Sequence, residues 1–342
     1  MVMNSASKLR SNIAQLVLGL RGVAQYLLLT DSKDIEYLTE MPHLNGCVLL
    51  VNVDTEECYA LQPLRSSISL DCSKSVRYSY LPVASNTTYI ISENFESALL
   101  SFIKGFVEPG ATIALRLNNI NASLYTALTQ LWKLVDVSKK LNMFRAYKPI
   151  HLLQLTENAA LKAFDIVKRA EMCKDLECVM MAFVRAAIQE VELDYSSCYM
   201  RREDDLIILR IVTVEKGLMR GAACTTISFE NSSIAQYKHR LEMALTSAVK
   251  GLILDMPCAS LIERLEKVLD TYGIRDTYIE ICGLGTAFCE YPTTSDIMSE
   301  DCLLKSGLTL YVEIGGFVER KRVVIGRTLI VKEEGITVVG EG

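Results

Sequence analysis

The sequence of 342 residues has few histidines and no concentration of charge of one sign. Only three histidines occur, at His43, His151 and His239, which restricts imidazole-based metal binding and acid–base catalysis. The basic residues are scattered along the chain, the formal net charge is −5 and the pI is near 5.5. A nucleic-acid partner is therefore not expected.

Long uninterrupted hydrophobic runs are also missing. Lys8, Arg10 and Arg21 break the apolar stretches of the first residues, so the apolar core of a signal peptide is lacking there. No stretch approaches the roughly 18 apolar residues of a membrane span. We therefore expect a soluble protein with no membrane partner.

Paired cysteine motifs are absent, although cysteine itself is abundant. The eleven cysteines include no CxxC pair, and their spacing is irregular. This pattern indicates reduced, buried thiols rather than a disulfide framework or a zinc knuckle. Reduced thiols are typical of the cytoplasm, which is the predicted location.

Length and pattern indicate two domains. The chain exceeds the comfortable size of one hydrophobic core, and half of its residues are hydrophobic. The periodicity is interrupted at Pro149, where the composition also changes. We predict an α/β N-terminal domain over residues 1–148 and an α+β C-terminal domain over residues 149–342.

The residue pattern predicts the main helices and strands of both domains. In the N-terminal domain, strands are predicted at 26–30, 47–53, 89–92 and 112–115, and helices at 7–20, 94–105 and 122–131. In the C-terminal domain, a helical stretch at 157–191 with a break near 174–175 precedes a hairpin at 206–214 and 222–229, helices at 233–252 and 259–272, and strands at 308–314, 322–325 and 329–331.

Four short segments carry a family resemblance. Three of them, Gly283-Leu284-Gly285, residues 307–317 and residues 323–331, have the order and spacing of signature segments of the creatinase / aminopeptidase P / prolidase family. Residues 34–39 resemble an N-terminal segment of the same family. The resemblance covers nearly the whole chain, is clearest after Asp205, and implies the "pita-bread" fold for the C-terminal domain.

The resemblance also implies which residues stand where active relatives bind two divalent ions. The family uses two Asp on the hairpin strands, a His in a glycine-flanked turn and two Glu on the terminal strands. The corresponding positions here are Arg210, Cys224, Leu284, Glu313 and Gly326. The placement of Arg210 is loose, because a gap of about three residues is needed near Met219.

The ligand set implied by the resemblance is therefore degenerate. Four of its five members are replaced, and the family's second His, which handles substrate and protons, corresponds to Tyr291. One carboxylate leaves most of the coordination sphere of a hard divalent ion unfilled. No cofactor is expected, and zinc or manganese would bind only if the site has been rebuilt. The metal-free route of creatinase needs a His before the hairpin, and residues 195–205 contain none.

Glu313 lies in an apolar strand and needs a counter-charge if it is buried. One hypothesis is a bidentate pair with an arginine, Arg210 first and Arg327 second. The alternative is that Glu313 faces solvent or pairs along residues 320–322.

Cys224, Cys282 and Cys289 could also lie near the positions that correspond to the family's metal ligands. A thiolate-rich zinc site is one interpretation, and buried thiols that fill core space are the other.

These observations favour a non-catalytic homologue of Xaa-Pro dipeptidases and aminopeptidases P. Such a protein would bind a peptide, a protein or a small ligand through the inherited cleft or the surface, and would form a homodimer. The alternative is an active hydrolase of an Xaa-Pro or other amide bond, with a rebuilt site around Glu313, Cys224 and Arg210. A third possibility is a structural subunit of a mixed oligomer. A cleft lined by Leu284, Tyr291 and Phe288, or an exposed apolar patch, would favour binding.

Overall fold

The computed structural model describes residues 5–66, 70–80, 89–188, 191–203, 205–229, 232–274, 276–298 and 302–340. The chain divides into two compact units, Met1–Phe144 and Arg145–Gly342. Within the described residues, no helix is long and apolar enough to cross a bilayer.

The first unit contains a mixed seven-stranded sheet with strand order β5-β4-β3-β2-β1-β6-β7. Strand β2 runs antiparallel to both β1 and β3, and the other neighbours are parallel. Apolar clusters cover both faces of this sheet, as expected for an α/β domain. The strands are β1 (Tyr26–Leu29), β2 (Val48–Asn52), β3 (Cys58–Pro63), β4 (Lys74–Ser79), β5 (Tyr89–Ile91), β6 (Thr112–Leu115) and β7 (Lys133–Asp136).

Asx side chains begin several helices of the first unit. Asp31, Asn94 and Asn121 each accept a hydrogen bond from a backbone N–H in the first turn of the following helix, which satisfies donors that the helix leaves open. The helices are α1 (Ser5–Leu18), α2 (Ser32–Thr39), α3 (Phe95–Lys104), α4 (Ala122–Thr129) and α5 (Ser138–Ala146), with a 3₁₀ turn at Leu117–Asn119.

The second unit contains an antiparallel eight-stranded sheet with order β12-β11-β13-β14-β10-β9-β8, in which β15 also pairs with β14. Its strands are β8 (Tyr199–Glu203), β9 (Leu206–Glu215), β10 (Met219–Ser228), β11 (Tyr278–Leu284), β12 (Phe288–Thr293), β13 (Thr309–Val318), β14 (Lys321–Lys332) and β15 (Gly335–Val338).

Helices α6 to α9 supply the apolar partners of this sheet. They are α6 (Ile150–Glu171), α7 (Leu176–Ile188), α8 (Ser232–Val249) and α9 (Ala259–Thr271), and the short α10 (Thr294–Ile297) follows β12. Leu310, Val312 and Ile314 of β13 point into the cluster formed with α8 and α9. Side chains alternate along a strand, so Tyr311 and Glu313 point to the opposite face.

The predicted α/β plus α+β fold class is confirmed, with corrections to individual elements. The strands predicted at 322–325 and 329–331 are one strand, β14, because Gly326 and Arg327 continue its pairing with β13. The predicted turn at Gly283-Leu284-Gly285 starts within β11, since Leu284 is its last residue. The helix predicted from residue 157 begins at Ile150, and its predicted extension includes residues 189 and 190, which lie outside the described residues.

The prediction of reduced cysteines is wrong. Eight cysteines form four disulfides, Cys58–Cys72, Cys173–Cys178, Cys258–Cys302 and Cys282–Cys289. Partners far apart in sequence are brought together by folding, which spacing alone does not reveal. The cytoplasmic location was inferred from reduced cysteines, so that inference loses its basis.

Candidate functional site

The second sheet brings four of the predicted site residues into one cross-strand row. Arg210 pairs with Cys224, Cys224 with Gly326, and Gly326 with Glu313. Tyr199 and Glu280 extend this row at its two ends. Side chains of directly paired residues point to the same face of a sheet, and we call this face the site face.

Leu284 lies on the site face and Tyr291 does not. Leu284 is fully buried in an apolar cluster that also contains Cys224 and Tyr311. Tyr291 is half-buried and packs against the cluster of the opposite face. The structure therefore brings together five of the six predicted positions.

Glu313 is the carboxylate at the centre of the site. Its side chain is 1% exposed, and Tyr311 Oη donates a hydrogen bond of 2.6 Å to its Oε2. Arg210 Nη1 lies 3.8 Å from Oε2, and Arg322 Nη2 lies 3.8 Å from Oε1. Burial raises the pKa of Glu313, although the hydrogen bond from Tyr311 and the charge of Arg210 oppose the shift.

These contacts confirm the expected Arg210–Glu313 pairing, but not its bidentate form. A nitrogen–oxygen distance of 3.8 Å is longer than a hydrogen bond, so the attraction is electrostatic only. Arg322 belongs to the segment named in the alternative, and it makes an equivalent contact. The expectation that Glu313 faces solvent is wrong.

Arg327, the second candidate partner, lies on the opposite face. It is next to Gly326 in β14, and alternation turns its side chain toward α8, where Nη2 is 2.8 Å from Glu242 Oε1. Its Nη1 donates to the carbonyl oxygens of Cys224 and Gly326, at 3.0 Å each. Arg327 therefore binds the backbone of the row from the opposite face of the sheet.

Aromatic rings hold the Arg210 guanidinium in place. Its Cζ lies 4.3 Å from the ring centre of Tyr199 and 4.7 Å from that of Phe288, and its Nε donates to the carbonyl oxygen of Ser197 at 3.3 Å. A cation between two aromatic faces is stabilised by both rings.

The phenol of Tyr311 occupies the space beside Gly326. A Cβ atom at Gly326 would lie 2.1 Å from Tyr311 Oη and 2.8 Å from Cys224 Cβ. Any side chain at this position, including the Glu that the resemblance expects, would require the tyrosine to move. The position of the phenol that binds Glu313 therefore depends on the absence of a side chain at Gly326.

Cysteines on the site face do not form a thiolate cluster. Cys282 and Cys289 are joined in a disulfide, so the proposed zinc site of three cysteines is wrong. Cys224 is a free thiol with no exposed surface. Burial and the charge of Glu313 raise the pKa of its thiol well above the usual range, which disfavours the reactive thiolate.

The residues present do not fit two divalent cations. The ligand-equivalent positions of the row offer one carboxylate, Glu313, which already accepts a hydrogen bond and faces two guanidinium groups, together with a protonated thiol and a glycine. The other carboxylate of the row, Glu280, lies at its end and accepts a hydrogen bond from Tyr278. Among the described residues, no group of three or more His, Cys, Asp or Glu side chains could hold a metal ion. A cation would also have to approach the Arg210 guanidinium closely, which Coulomb repulsion opposes.

Tyr311 and Glu280 belong to the site but were not predicted, and Arg322 was named only within residues 320–322, as an alternative partner of Glu313. Tyr311 precedes Glu313 by two positions in the same strand, so period-two alternation could have placed it on the same face. Glu280 pairs with Glu313 through β11, and Tyr278 donates a hydrogen bond to it. The pairing register that locates Glu280 and Arg322 could not be read from one sequence.

Comparison with known proteins identifies the domain type and the fold. Residues 21–147 match the Creatinase/Prolidase N-terminal domain family. Prolidase from Thermococcus sibiricus has a similar structure, with a TM-score of 0.76 and 14% identity over 100% of this chain and 98% of that chain. Xaa-Pro dipeptidase from Bacillus anthracis has a TM-score of 0.76 and 13% identity over 97% of this chain and 98% of that chain. Prolidase from Pyrococcus furiosus has a TM-score of 0.72 and 14% identity over 95% of this chain and 99% of that chain. No curated protein sequence matches the chain.

These findings confirm the predicted resemblance to the creatinase / aminopeptidase P / prolidase family. The N-terminal domain is of the creatinase/prolidase type, and the chain as a whole has the two-domain fold of prolidases, with a pita-bread C-terminal domain. At these identities the structural similarity concerns the fold, so function has to be argued from the site.

Proposed function

We propose that this chain is a non-catalytic homologue of Xaa-Pro dipeptidases and aminopeptidases P. It acts by binding a peptide, a protein or a small ligand through the inherited cleft or the surface. The observation that carries this proposal is the position of the Arg210 guanidinium, which lies in the row of ligand-equivalent positions and 3.8 Å from Glu313.

The surroundings of Glu313 support a structural role for this carboxylate rather than a catalytic one. A metal ligand or a general base needs a free lone pair directed at the reacting group. Here Tyr311 donates to one oxygen, and a guanidinium approaches each oxygen. With 1% of its side chain exposed, Glu313 offers little surface to a substrate.

The alternative of a rebuilt hydrolase has weaker support. A cysteine nucleophile has to be accessible and at least partly ionised, whereas Cys224 is buried and its thiol pKa is raised. Arg210 retains its charge and cannot act as a base. No observation at the site favours this alternative over binding.

The rim of the site is more open than its centre and suits ligand binding. The side chains of Arg210 and Arg322 are 18% and 31% exposed. Tyr199, Tyr278 and Phe288 are half-buried beside them, and Arg322 lies over the Tyr278 ring at 4.6 Å. Guanidinium donors next to aromatic rings are common in binding surfaces for peptides.

Hydrolysis of a panel of Xaa-Pro dipeptides, measured with added manganese, cobalt or zinc, tests the proposal. We expect product formation to equal that of a protein-free blank for every metal. The matched control is Glu313→Gln, which removes the one carboxylate at a ligand-equivalent position. Turnover by the wild type that disappears in Glu313→Gln would overturn the proposal.

A further inference from the structure

A group of charged side chains links helices α6 and α8 to strand β14, on the face of the second sheet opposite the site face. The Nζ atoms of Lys238 and Lys168 each lie 3.0 Å from a carboxylate oxygen of Glu171. Lys168 and Arg327 lie 3.6 and 2.8 Å from Glu242. Burial raises the pKa of Glu171, but the charge of Lys238 and further contacts lower it below its usual range. Three cations therefore share two carboxylates, which leaves one positive charge uncompensated within this group.

Arg327 is the buried end of this group. Its side chain is 1% exposed, and its one carboxylate partner is Glu242, which Lys168 also approaches. Its Nε is buried and has no hydrogen-bond partner among the described residues. A buried charge that is only partly paired is unfavourable, so a further anion close to Arg327 would reduce this cost.

A cavity of about 260 Å³ opens beside Arg327. It lies between α6, α8 and the segment after β15, and its polar lining includes Lys168, His239, Glu242 and Arg327. Two of these residues are accessible, since the Lys168 side chain is 42% exposed and His239 is exposed. Their N–H groups can therefore reach a ligand that enters from solvent.

The ring of Phe164 forms an apolar wall of the cavity and positions the two cations. Lys168 Nζ and Arg327 Cζ lie 5.3 and 5.2 Å from the ring centre, within the range of a cation–π contact. Gly340 packs closely against the same ring, since a Cβ atom there would lie 2.4–2.6 Å from three ring atoms. Cations that are already positioned cost less to order when a ligand binds.

We propose that this cavity binds a small oxyanion, a carboxylate or a phosphate. The Lys168 ammonium and an imidazole N–H of His239 donate hydrogen bonds to its oxygens, and Arg327 attracts it through its charge. The Phe164 wall contacts an apolar group beside the anionic one. Because the cavity lies on the opposite face of the sheet from Glu313, the inference does not depend on the proposed function.

The charges of the cavity indicate weak binding that depends on salt. One uncompensated charge and two accessible donors are expected to give a dissociation constant in the roughly millimolar range. Glu242 limits the affinity, because its carboxylate repels the anion. Added salt lowers the affinity further, since Lys168 and His239 are exposed and their charges are screened.

Equilibrium dialysis against radiolabelled inorganic phosphate, and separately against benzoate, tests the site at a constant ionic strength set with chloride. The wild type should retain the anion saturably. Lys168→Met removes a donor and a charge, and it should raise the dissociation constant about fivefold or more. His239→Ala should weaken binding as well. Lys162→Met is the matched control, because Lys162 is on the same helix, is 45% exposed and lies outside the cavity lining.

Glu242→Gln provides a test of opposite sign. It removes the carboxylate that repels the anion, so binding should tighten by several-fold, and phosphate should raise the unfolding temperature of this variant more than that of the wild type. Glu157→Gln is the control, because it removes a carboxylate that pairs with Lys332 outside this cavity, and it should leave the affinity unchanged. Thermal unfolding also establishes that each variant is folded.

The two probes distinguish the source of the oxyanion. Retention of phosphate alone or of benzoate alone supports the proposal and identifies which oxyanion the cavity takes. Three results would overturn it: no saturable retention of either anion by the wild type, equal weakening by Lys168→Met and Lys162→Met, or weaker binding in a folded Glu242→Gln variant.

Discussion

Glu313 is the residue around which the charged side chains of the site are arranged. The carboxylate is buried, and the nearest cations approach it only to 3.8 Å. Removal of one partner from a buried ion pair leaves an uncompensated charge, which destabilises a protein more than the intact pair stabilises it. Arg210 is therefore expected to matter for folding, whether or not it contacts a ligand.

The first prediction concerns Arg210→Met, which keeps much of the side-chain volume and removes the charge. We expect the free energy of unfolding in urea to fall by about 1–3 kcal/mol, less than for a fully buried pair because Arg322 remains and Arg210 is partly exposed. Adding Glu313→Gln should recover part of this loss, since the buried charge is then gone as well.

Lys332→Met is the matched control for this prediction. It removes a cation that lies 2.9 Å from Glu157, with 25% and 29% of the two side chains exposed, and ion pairs in which both partners reach solvent contribute less than about 1 kcal/mol. Equal losses of unfolding free energy in Arg210→Met and Lys332→Met, or no recovery of it in the double variant, would mean that the Arg210–Glu313 pairing does not contribute to stability.

The second prediction concerns the space beside Gly326. Gly326→Ala should lower the free energy of unfolding by about 1–3 kcal/mol or more, because the new methyl group overlaps the Tyr311 hydroxyl. Gly19→Ala is the control, since a Cβ there would meet nothing within 4 Å. Thermal or urea unfolding that shows the two variants equally stable would contradict the coupling of Gly326 and Tyr311.

At the scale of strands and helices, alternation and register place the site residues. The sequence alone predicted β9 and most of β10, and it placed Glu313 in an apolar strand. In the structure this strand is β13, which continues to Val318. The sequence ranked Arg210 before Arg327 as the partner of Glu313, but it could not show which of the two arginines points to the same face of the sheet as Glu313. The face of Arg327 is known only once β14 is seen to continue across Gly326, because this continuity fixes the alternation of its side chains.

The covalent links between elements were not predictable from spacing. Cys258 and Cys302 are 44 residues apart and join the start of α9 to the segment before β13. A link across a long loop removes much entropy from the unfolded chain. The abundance of cysteine therefore reflects mainly paired residues and not the filling of the core by thiols.

The third prediction concerns these disulfides. Thiol alkylation of the unreduced, denatured protein should label three of the eleven cysteines, Cys47, Cys198 and Cys224, and reduction should expose the remainder. Replacing Cys258 and Cys302 together by Ala should lower the free energy of unfolding by about 4 kcal/mol. Full labelling without reductant would contradict the pairing.

At the scale of the whole molecule, the chain has the two-domain fold of prolidases. The structural similarity to prolidases extends over nearly the full chain at 12–14% identity. Inside this fold an Arg, a Cys, a Gly and a Glu share one row of the sheet. A fold can be kept by its apolar pattern while a few positions decide the function.

Metal content tests the central claim most directly. The purified protein is incubated with manganese, cobalt, iron and zinc, desalted and analysed by mass spectrometry for each element. We predict no metal above the level of a desalted control protein without a metal site, because guanidinium groups face Glu313, the one carboxylate at a ligand-equivalent position. Retention of about one or two ions per chain, lost in Glu313→Gln, would contradict the account, since ions would then bind where the ligand-equivalent positions offer a single carboxylate.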